Sequence, residues 1–131
     1  GGSKDPTSHQ SVDARLHKIK MNGRAVFSHA VRNISAACQA ALAANGITAA
    51  EVDLVVAHQA NLRILDGVAQ RLGLPLSRFY LNLHKYGNTS SASVPIALDE
   101  AVRDGTVVPG MTLLFCALGA GFSWGSALVR W

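Results

Sequence analysis

Charge, aromatic side chains and cysteine are all scarce in this sequence of 131 residues. Only 15% of the residues are charged and 6% are aromatic, whereas 49% are hydrophobic. A chain this apolar can bury one core and is not typical of a disordered segment. The net charge of +4 comes from scattered Lys and Arg, without a basic run interleaved with aromatic residues. We therefore expect one globular unit that does not bind nucleic acid.

Long hydrophobic runs are also missing. The longest mostly apolar run, residues 111–118, is far shorter than the roughly 20 residues of a membrane span. No charged segment followed by an apolar one opens the sequence, so we expect a cytoplasmic location and no membrane contact. The two cysteines, Cys38 and Cys116, lack CxxC or metal-ligand spacing. They are predicted to be reduced residues of the core.

Two familiar catalytic patterns are present only in part. Residues 121–125 match the G-x-S-x-G elbow of hydrolases, but the six residues after Gly125 include neither the acid nor the histidine that should follow. The five histidines show no i, i+4 pair and no cysteine partner at ligand spacing; they are His9, His17, His29, His58 and His84. The sequence therefore favours neither a hydrolase nor a metal enzyme, and we expect no metal or cofactor.

Apolar spacing predicts alternating helices and strands. One buried helix face runs through residues 22–45, a second helix follows Asn61 and ends at Gly73, and a third runs through residues 94–102. Short apolar runs predict strands at residues 52–57, 79–83, 112–118 and 126–131. This order indicates an α/β fold with layered helices, a mixed sheet and an antiparallel final hairpin.

Two polar clusters lie where α/β folds place ligand-facing groups. His58 directly follows the predicted strand 52–57, and Asn88 lies in the polar segment 86–91. Position alone leaves His58 evenly balanced between a structural and a functional role. For Asn88, position alone favours a turn or a helix cap.

The combined motifs resemble those of the 3-oxoacyl-[acyl-carrier-protein] synthase III family. They occur in the family's order, at residues 21–27, 58–64, 87–90, 93–95, 97–101 and 119–127. The resemblance implies a thiolase-like fold of two similar halves, with residues 1–131 matching the C-terminal half. It also implies a mixed five-stranded sheet whose first strand lies outside this chain. Residues 1–20 are then expected to be a mid-chain loop left by a break or a cleavage.

The resemblance implies a reaction as well. Family members perform a decarboxylating Claisen condensation of an acyl-CoA starter with malonyl-acyl carrier protein (malonyl-ACP), which initiates fatty acid synthesis. His58 and Asn88 match the two side chains that donate to the enolate oxygen, with His58 neutral. The cysteine nucleophile belongs to the N-terminal half, and Cys116 matches no nucleophile position. We therefore expect this chain alone to be inactive.

Other positions match the family less specifically. Gly23, Phe27 and Asn61 match residues of the pantetheine channel, and the backbone N–H of Ala120 matches an oxyanion-hole donor whose residue is usually glycine. Arg63 matches a basic residue that contacts the acidic carrier protein, although a solvated helix charge explains it equally well.

The position after Phe27, commonly basic in the family, is Ser28, which suggests a reduced carrier-binding patch. The expected partners are the N-terminal half, acyl carrier protein, coenzyme A thioesters and a second copy in a homodimer. A non-catalytic or differently specific subunit of a thiolase-superfamily acyltransferase, in polyketide or secondary metabolism, is the alternative.

Overall fold

The computed structural model describes residues 3–131 and places helices on both faces of a sheet. The helices are α1 (His9–Asp13), α2 (Gly23–Ala44), α3 (Leu62–Leu72), α4 (Leu83–Tyr86) and α5 (Ser93–Arg103). The strands are β1 (Leu54–Ala57), β2 (Thr112–Gly119) and β3 (Ser123–Arg130). Within residues 3–131, no helix is both long enough and apolar enough to cross a membrane.

The sheet is mixed, in the order β1-β2-β3. β1 pairs with β2 in parallel, from Leu54 opposite Leu113 to Ala57 opposite Cys116. β2 pairs with β3 in the antiparallel direction, which confirms the predicted final hairpin. β3 begins three residues earlier than predicted, at Ser123. The loop of the hairpin is therefore confined to residues 120–122.

Residues 3–131 form three strands, one fewer than the four predicted within this chain. The predicted strand 79–83 was wrong: it contributes one isolated parallel bridge between Phe79 and Val55, and α4 begins at Leu83. The physical reason is that the side chain of Gln59 takes up the backbone N–H groups of this segment. Gln59 Oε1 accepts hydrogen bonds from the backbone N–H groups of Asn82 and Leu83, both at 3.2 Å, which a neighbouring strand would otherwise take.

The limits of α3 agree with the prediction, because Asn61 Oδ1 accepts from Arg63 N–H at its start. α2 also has a cap, which was not predicted: Asn22 Oδ1 accepts from Ala25 N–H. α3 ends at Gly73, whose φ of 69° is the left-handed conformation that favours glycine. The bond at Asn61 and the turn at Gly73 are local, which is why the sequence pattern predicts them well.

The core has two parts, one on each face of the sheet. Val55 and Ala57 of β1 face α2 and α3, whereas Leu54 and Val56 face α5. All four residues of β1 are buried because both faces are covered. Cys38 and Cys116 are free thiols within the first part, as predicted. The layered α/β arrangement is confirmed.

Residues 3–20 contribute nothing to this core. The predicted loop 1–20 contains α1, which has no buried residue, and the side chain of Ile19 is 99% exposed. Gly1 and Gly2 lie outside the described residues.

Gly67 allows α2 and α3 to pack closely, and this contact gives a stability prediction. A Cβ at Gly67 would lie 2.9 Å from Val31 Cγ2, and Val31 is a buried β-branched residue with few alternative rotamers. Overpacking costs about 1–3 kcal/mol, against a gain in helix propensity of about 1 kcal/mol. We expect Gly67→Ala to lower the free energy of unfolding, measured by chemical denaturation.

The control is the same substitution in a Val31→Ala background. Because the clash is absent there, Gly67→Ala should become neutral or stabilising. A stabilising effect of Gly67→Ala in the presence of Val31 would contradict the packing described here.

Candidate active site

A cavity of about 1360 Å³ opens at the C-terminal edge of the parallel strands β1 and β2. Its walls are the N-terminal ends of α2, α3 and α5 together with the hairpin between β2 and β3. The cavity brings together every residue for which the sequence predicts a role, namely Gly23, Phe27, His58, Asn61, Arg63, Asn88 and Ala120. The carboxyl edge of an α/β sheet is the usual place for a ligand site.

His58 is held at the end of β1 by backbone pairing. Its N–H donates to the carbonyl of Cys116 at 2.8 Å, which continues the parallel ladder by one residue. The imidazole is half-buried. Burial lowers the pKa of His58 below its ordinary value of 6.5, and the neighbouring Ser90 backbone opposes this shift by favouring the protonated ring. The net shift of the His58 pKa is downward, which favours the neutral imidazole near pH 7.

Asn88 is oriented by the same residue, Ser90. The Ser90 N–H donates to Asn88 Oδ1 at 2.9 Å, so the oxygen end of the amide is engaged and the Nδ2 amino group remains as the donor. Ser90 has a φ of 56°, which is uncommon for a residue other than glycine. One strained backbone unit therefore contacts both His58 and Asn88. The sequence motif included Ser90, but nothing in the spacing assigned it this role.

The hairpin loop completes the wall opposite these two side chains. Gly121 has a φ of 144°, and a Cβ there would lie 3.1 Å from the Ser123 backbone nitrogen, so glycine is required. Ala120 is not among the residues of positive φ within the range 3–131, so alanine fits without strain at this position. The Phe122 ring stacks on His29 of α2, with centroids 5.5 Å apart. This contact fixes the loop against the helix that forms the other wall.

The predicted channel residues lie along one side of the cavity. Gly23 begins α2 and has open space around the position of a Cβ, and Phe27 is 42% exposed. Asn61 has a structural role as well, because its Oδ1 caps α3.

The cavity is electropositive. Arg63 lines it together with Lys20 and Arg24, whereas no Asp or Glu is present in its described walls. The N-terminal ends of three helices add partial positive charge. Lys20 and Arg24 were not predicted as site residues, although Arg24 lies within the motif at 21–27 and Lys20 directly precedes it. This surface suits an anionic ligand or an acidic partner.

Among the described residues, no cysteine lines the cavity. Cys116 is 3% exposed. A hydrogen bond with Cys38, together with burial, raises the pKa of the Cys116 thiol, which disfavours the reactive thiolate. Cys116 is therefore a core residue, as predicted. What remains is the His58 ring and the Asn88 amide in an electropositive cavity; N–H groups of this kind, when aimed at a substrate oxygen, stabilise negative charge on it.

Comparison with known proteins gives one consistent result. A family profile described as 3-oxoacyl-[acyl-carrier-protein (ACP)] synthase III C terminal matches residues 42–131. The beta-ketoacyl-[acyl-carrier-protein] synthase III of Nitratidesulfovibrio vulgaris (strain Miyazaki F) is 48% identical over 99% of this chain and 39% of its own length. This chain therefore spans about two fifths (39%) of the length of that relative.

Two solved structures share the fold. The 3-oxoacyl-[acyl-carrier-protein] synthase III of Aquifex aeolicus has a TM-score of 0.85 and 44% identity over 86% of this chain and 37% of its own. The priming beta-ketosynthase of the R1128 polyketide pathway has a TM-score of 0.81 and 38% identity over 92% of this chain and 37% of its own. The predicted thiolase-like half-domain is confirmed.

The electrostatics of His58 can be tested by titration. We expect its imidazole to titrate below 6.5, because burial disfavours the charged ring. NMR of histidine selectively labelled with ¹⁵N, with His58→Gln used to assign the resonance, measures this pKa. A value at or above 6.5 would contradict the burial and the neutral ring described above.

Proposed function

The chain belongs to the 3-oxoacyl-[acyl-carrier-protein] synthase III family, and we propose that it forms the C-terminal half of an enzyme that condenses an acyl-CoA starter with malonyl-ACP. The product is 3-oxoacyl-ACP. The observation that carries the proposal is the convergence of His58 and Asn88 on one cavity, with the Ser90 backbone contacting both. The N-terminal half would supply the cysteine nucleophile, so this chain alone would not catalyse condensation.

The proposed role of the two donors follows from where charge develops. Decarboxylation breaks the bond between the malonyl carboxylate carbon and C2, CO₂ leaves, and the electron pair spreads onto the thioester oxygen. With the single proton of the neutral His58 ring on the nitrogen that faces the cavity, the ring N–H and the Asn88 amide would stabilise that oxygen without transferring a proton to it. C2 therefore remains nucleophilic, attacks the acyl group on the cysteine, and releases the cysteine thiolate.

The hairpin loop is proposed to act on the other intermediate. When a nucleophile attacks the acyl thioester, negative charge forms on the tetrahedral oxygen. The Ala120 backbone N–H, with the N–H of the cysteine itself, would form the oxyanion hole for it. Two observations support this role: Ala120 lines the same cavity as His58, and the loop is fixed by the stack of Phe122 on His29.

The size and charge of the cavity support the proposed substrates. Ligand pockets commonly measure about 300–1,000 Å³, and this cavity, at about 1360 Å³, has room for a long thioester arm. Gly23, Phe27 and Asn61 would line the path of that arm. Arg63, with Lys20 and Arg24, would attract the phosphates of coenzyme A or the acidic surface of a carrier protein.

The exposed side of the sheet is the proposed contact for the N-terminal half. β3 is an edge strand of the described sheet, and Trp124, Val129 and Trp131 on or next to it are 50%, 37% and 41% exposed. Apolar side chains gathered along a strand edge are typical of a surface that is covered in the whole protein. We further propose that the complete enzyme pairs with a second copy as a homodimer.

Polyketide synthesis is a second candidate pathway, favoured by the likeness to the priming beta-ketosynthase of the R1128 pathway. Both pathways would use the same His58 and Asn88 chemistry, so the starter decides between them. Product analysis with a series of acyl-CoA starters of different length and branching, each with malonyl-ACP, separates the two. A strong preference for the shortest starters would favour fatty acid initiation.

The donor roles predict a selective loss. In the full-length enzyme, His58→Ala and Asn88→Ala should each slow malonyl-ACP decarboxylation by about 100- to 1,000-fold, the usual cost of removing one donor to a developing oxyanion. Transfer of the acyl group from acyl-CoA to the cysteine should remain measurable. Release of radiolabelled CO₂ and mass spectrometry of the acyl-enzyme follow the two half-reactions separately. An equal loss of both would contradict the assignment.

The role of Arg63 predicts a loss of binding. Arg63→Glu should weaken binding of the carrier protein roughly tenfold, and the difference should shrink at high salt, because the contact is a solvent-exposed charge pair. Titration calorimetry measures the affinity. The control is Arg103→Glu, because Arg103 is exposed, lies outside this cavity and pairs with Asp99. An unchanged affinity in Arg63→Glu would leave Arg63 as an ordinary solvated charge.

A further inference from the structure

Gln59, next to His58, is a fully buried polar side chain whose hydrogen bonds join two parts of the site. Its Nε2 donates to the carbonyls of Ala57 at 3.1 Å and Tyr80 at 3.0 Å. Its Oε1 accepts from the N–H groups of Asn82 and Leu83, both at 3.2 Å. The capacity of the amide is thus fully used while its exposure is 0%. Gln59 connects the end of β1 to residues 80–83.

Glu100 of α5 holds the same segment from the other side. Its carboxylate accepts from Asn82 Nδ2 at 2.8 Å, from Lys85 Nζ at 2.9 Å and from the Tyr86 hydroxyl at 2.9 Å. These contacts, with Lys85 the largest, lower the pKa of Glu100 and keep it ionised. Gln59 and Glu100 therefore bond the segment 80–86 to the end of β1 on one side and to α5 on the other.

The segment leads directly to Asn88. α4 ends at Tyr86, and Gly87 alone, at a φ of 69°, separates it from Asn88. Because Gln59 follows His58 immediately and bonds to the residues that begin α4, a displacement of the segment changes the separation of the two donors. Burying an amide costs free energy unless its hydrogen bonds are all made. Its four directional bonds fix the positions of its partners more narrowly than apolar packing would.

We propose that Gln59 and Glu100 are positioning residues, which hold segment 80–86 between β1 and α5 and thereby set the position of Asn88 relative to His58. The inference rests on the proposed function, because it concerns the two donors to the enolate oxygen. Neither residue touches the substrate. Their effect is expected to be on the step that needs both donors at one oxygen, where a displacement of about 1 Å costs up to about 100-fold.

The test compares two variants of the full-length enzyme with two matched controls. Gln59→Glu keeps the acceptor for Asn82 and Leu83 but cannot donate to both carbonyls, and Glu100→Gln weakens three bonds without changing the shape. The control for the first is Gln70→Glu, at a residue whose amide bonds to Asp66 within α3. The control for the second is Asp99→Asn, the neighbouring acid, whose ion pair with Arg103 stays within α5.

We expect Gln59→Glu to slow malonyl-ACP decarboxylation by about 10- to 100-fold and Glu100→Gln by a smaller factor in the same direction. Loading of the cysteine from acyl-CoA should stay near the wild-type rate, and both controls should match the wild type in both half-reactions. A double-mutant cycle separates positioning from general destabilisation. In a His58→Ala/Asn88→Ala background, adding Gln59→Glu or Glu100→Gln should have little further effect on decarboxylation.

Three results overturn the inference: equal loss of both half-reactions, full additivity in the background without the donors, or variants that behave like their controls. If Gln59→Glu does not fold, Glu100→Gln decides, since the Glu100 side chain is only partly buried, at 19% exposure, and the substitution keeps its shape. Decarboxylation at the level of Asp99→Asn then overturns the proposal. A wild-type enzyme that loads its cysteine but does not decarboxylate malonyl-ACP overturns the proposed function, and this inference with it.

Discussion

The parallel pairing of β1 with β2 determines where every group of the site lies. Because the two strands run in the same direction, His58 after β1 and the hairpin loop after β2 emerge at one edge of the sheet. The His58 N–H bonded to the Cys116 carbonyl at 2.8 Å continues this register into the site. Helices on both faces bury β1 completely and prevent the register from slipping. The cavity is thus a consequence of the sheet, and its three helix N-termini follow from the connections around it.

The chemistry of the site is set by what surrounds the two donors. Burial keeps the His58 imidazole neutral, while the Ser90 backbone directs the amide of Asn88. Basic side chains and helix N-termini face the cavity, and no Asp or Glu lines its described walls. An anion in the cavity is therefore attracted from several sides. An arrangement of this kind would stabilise the proposed enolate by fixed dipoles, without proton transfer.

The features that the sequence predicted well depend on local chemistry. Asn61 and Gly73 mark the two ends of α3 through a bond and a backbone angle that involve only their near neighbours. The apolar spacing of the three long helices reflects the face that each one buries. His58 and Asn88 were different, because their positions alone left a structural role equally or more plausible. Only the order of several long motifs pointed to catalysis, and the shared cavity is consistent with it.

What the sequence did not predict depends on contacts between distant residues. The strand expected at residues 79–83 is reduced to a single bridge because the Gln59 side chain, more than 20 positions away, takes two of its N–H groups. The positive φ of Ser90 and the three bonds to Glu100 likewise require the folded chain. Propensity and periodicity contain no information about such side-chain bridges. The geometry of the site depends on these bridges, so the sequence pattern does not predict it.

The most direct measurement is a crystal structure of the full-length enzyme with a non-cleavable malonyl thioester analogue bound. The account predicts that the thioester oxygen lies at about 2.7–3.2 Å from both a ring nitrogen of His58 and Nδ2 of Asn88, the range of a hydrogen bond. An oxygen that contacts only one of the two, or that binds at the Ala120 loop instead, would contradict the claim that this pair of neutral donors stabilises the enolate.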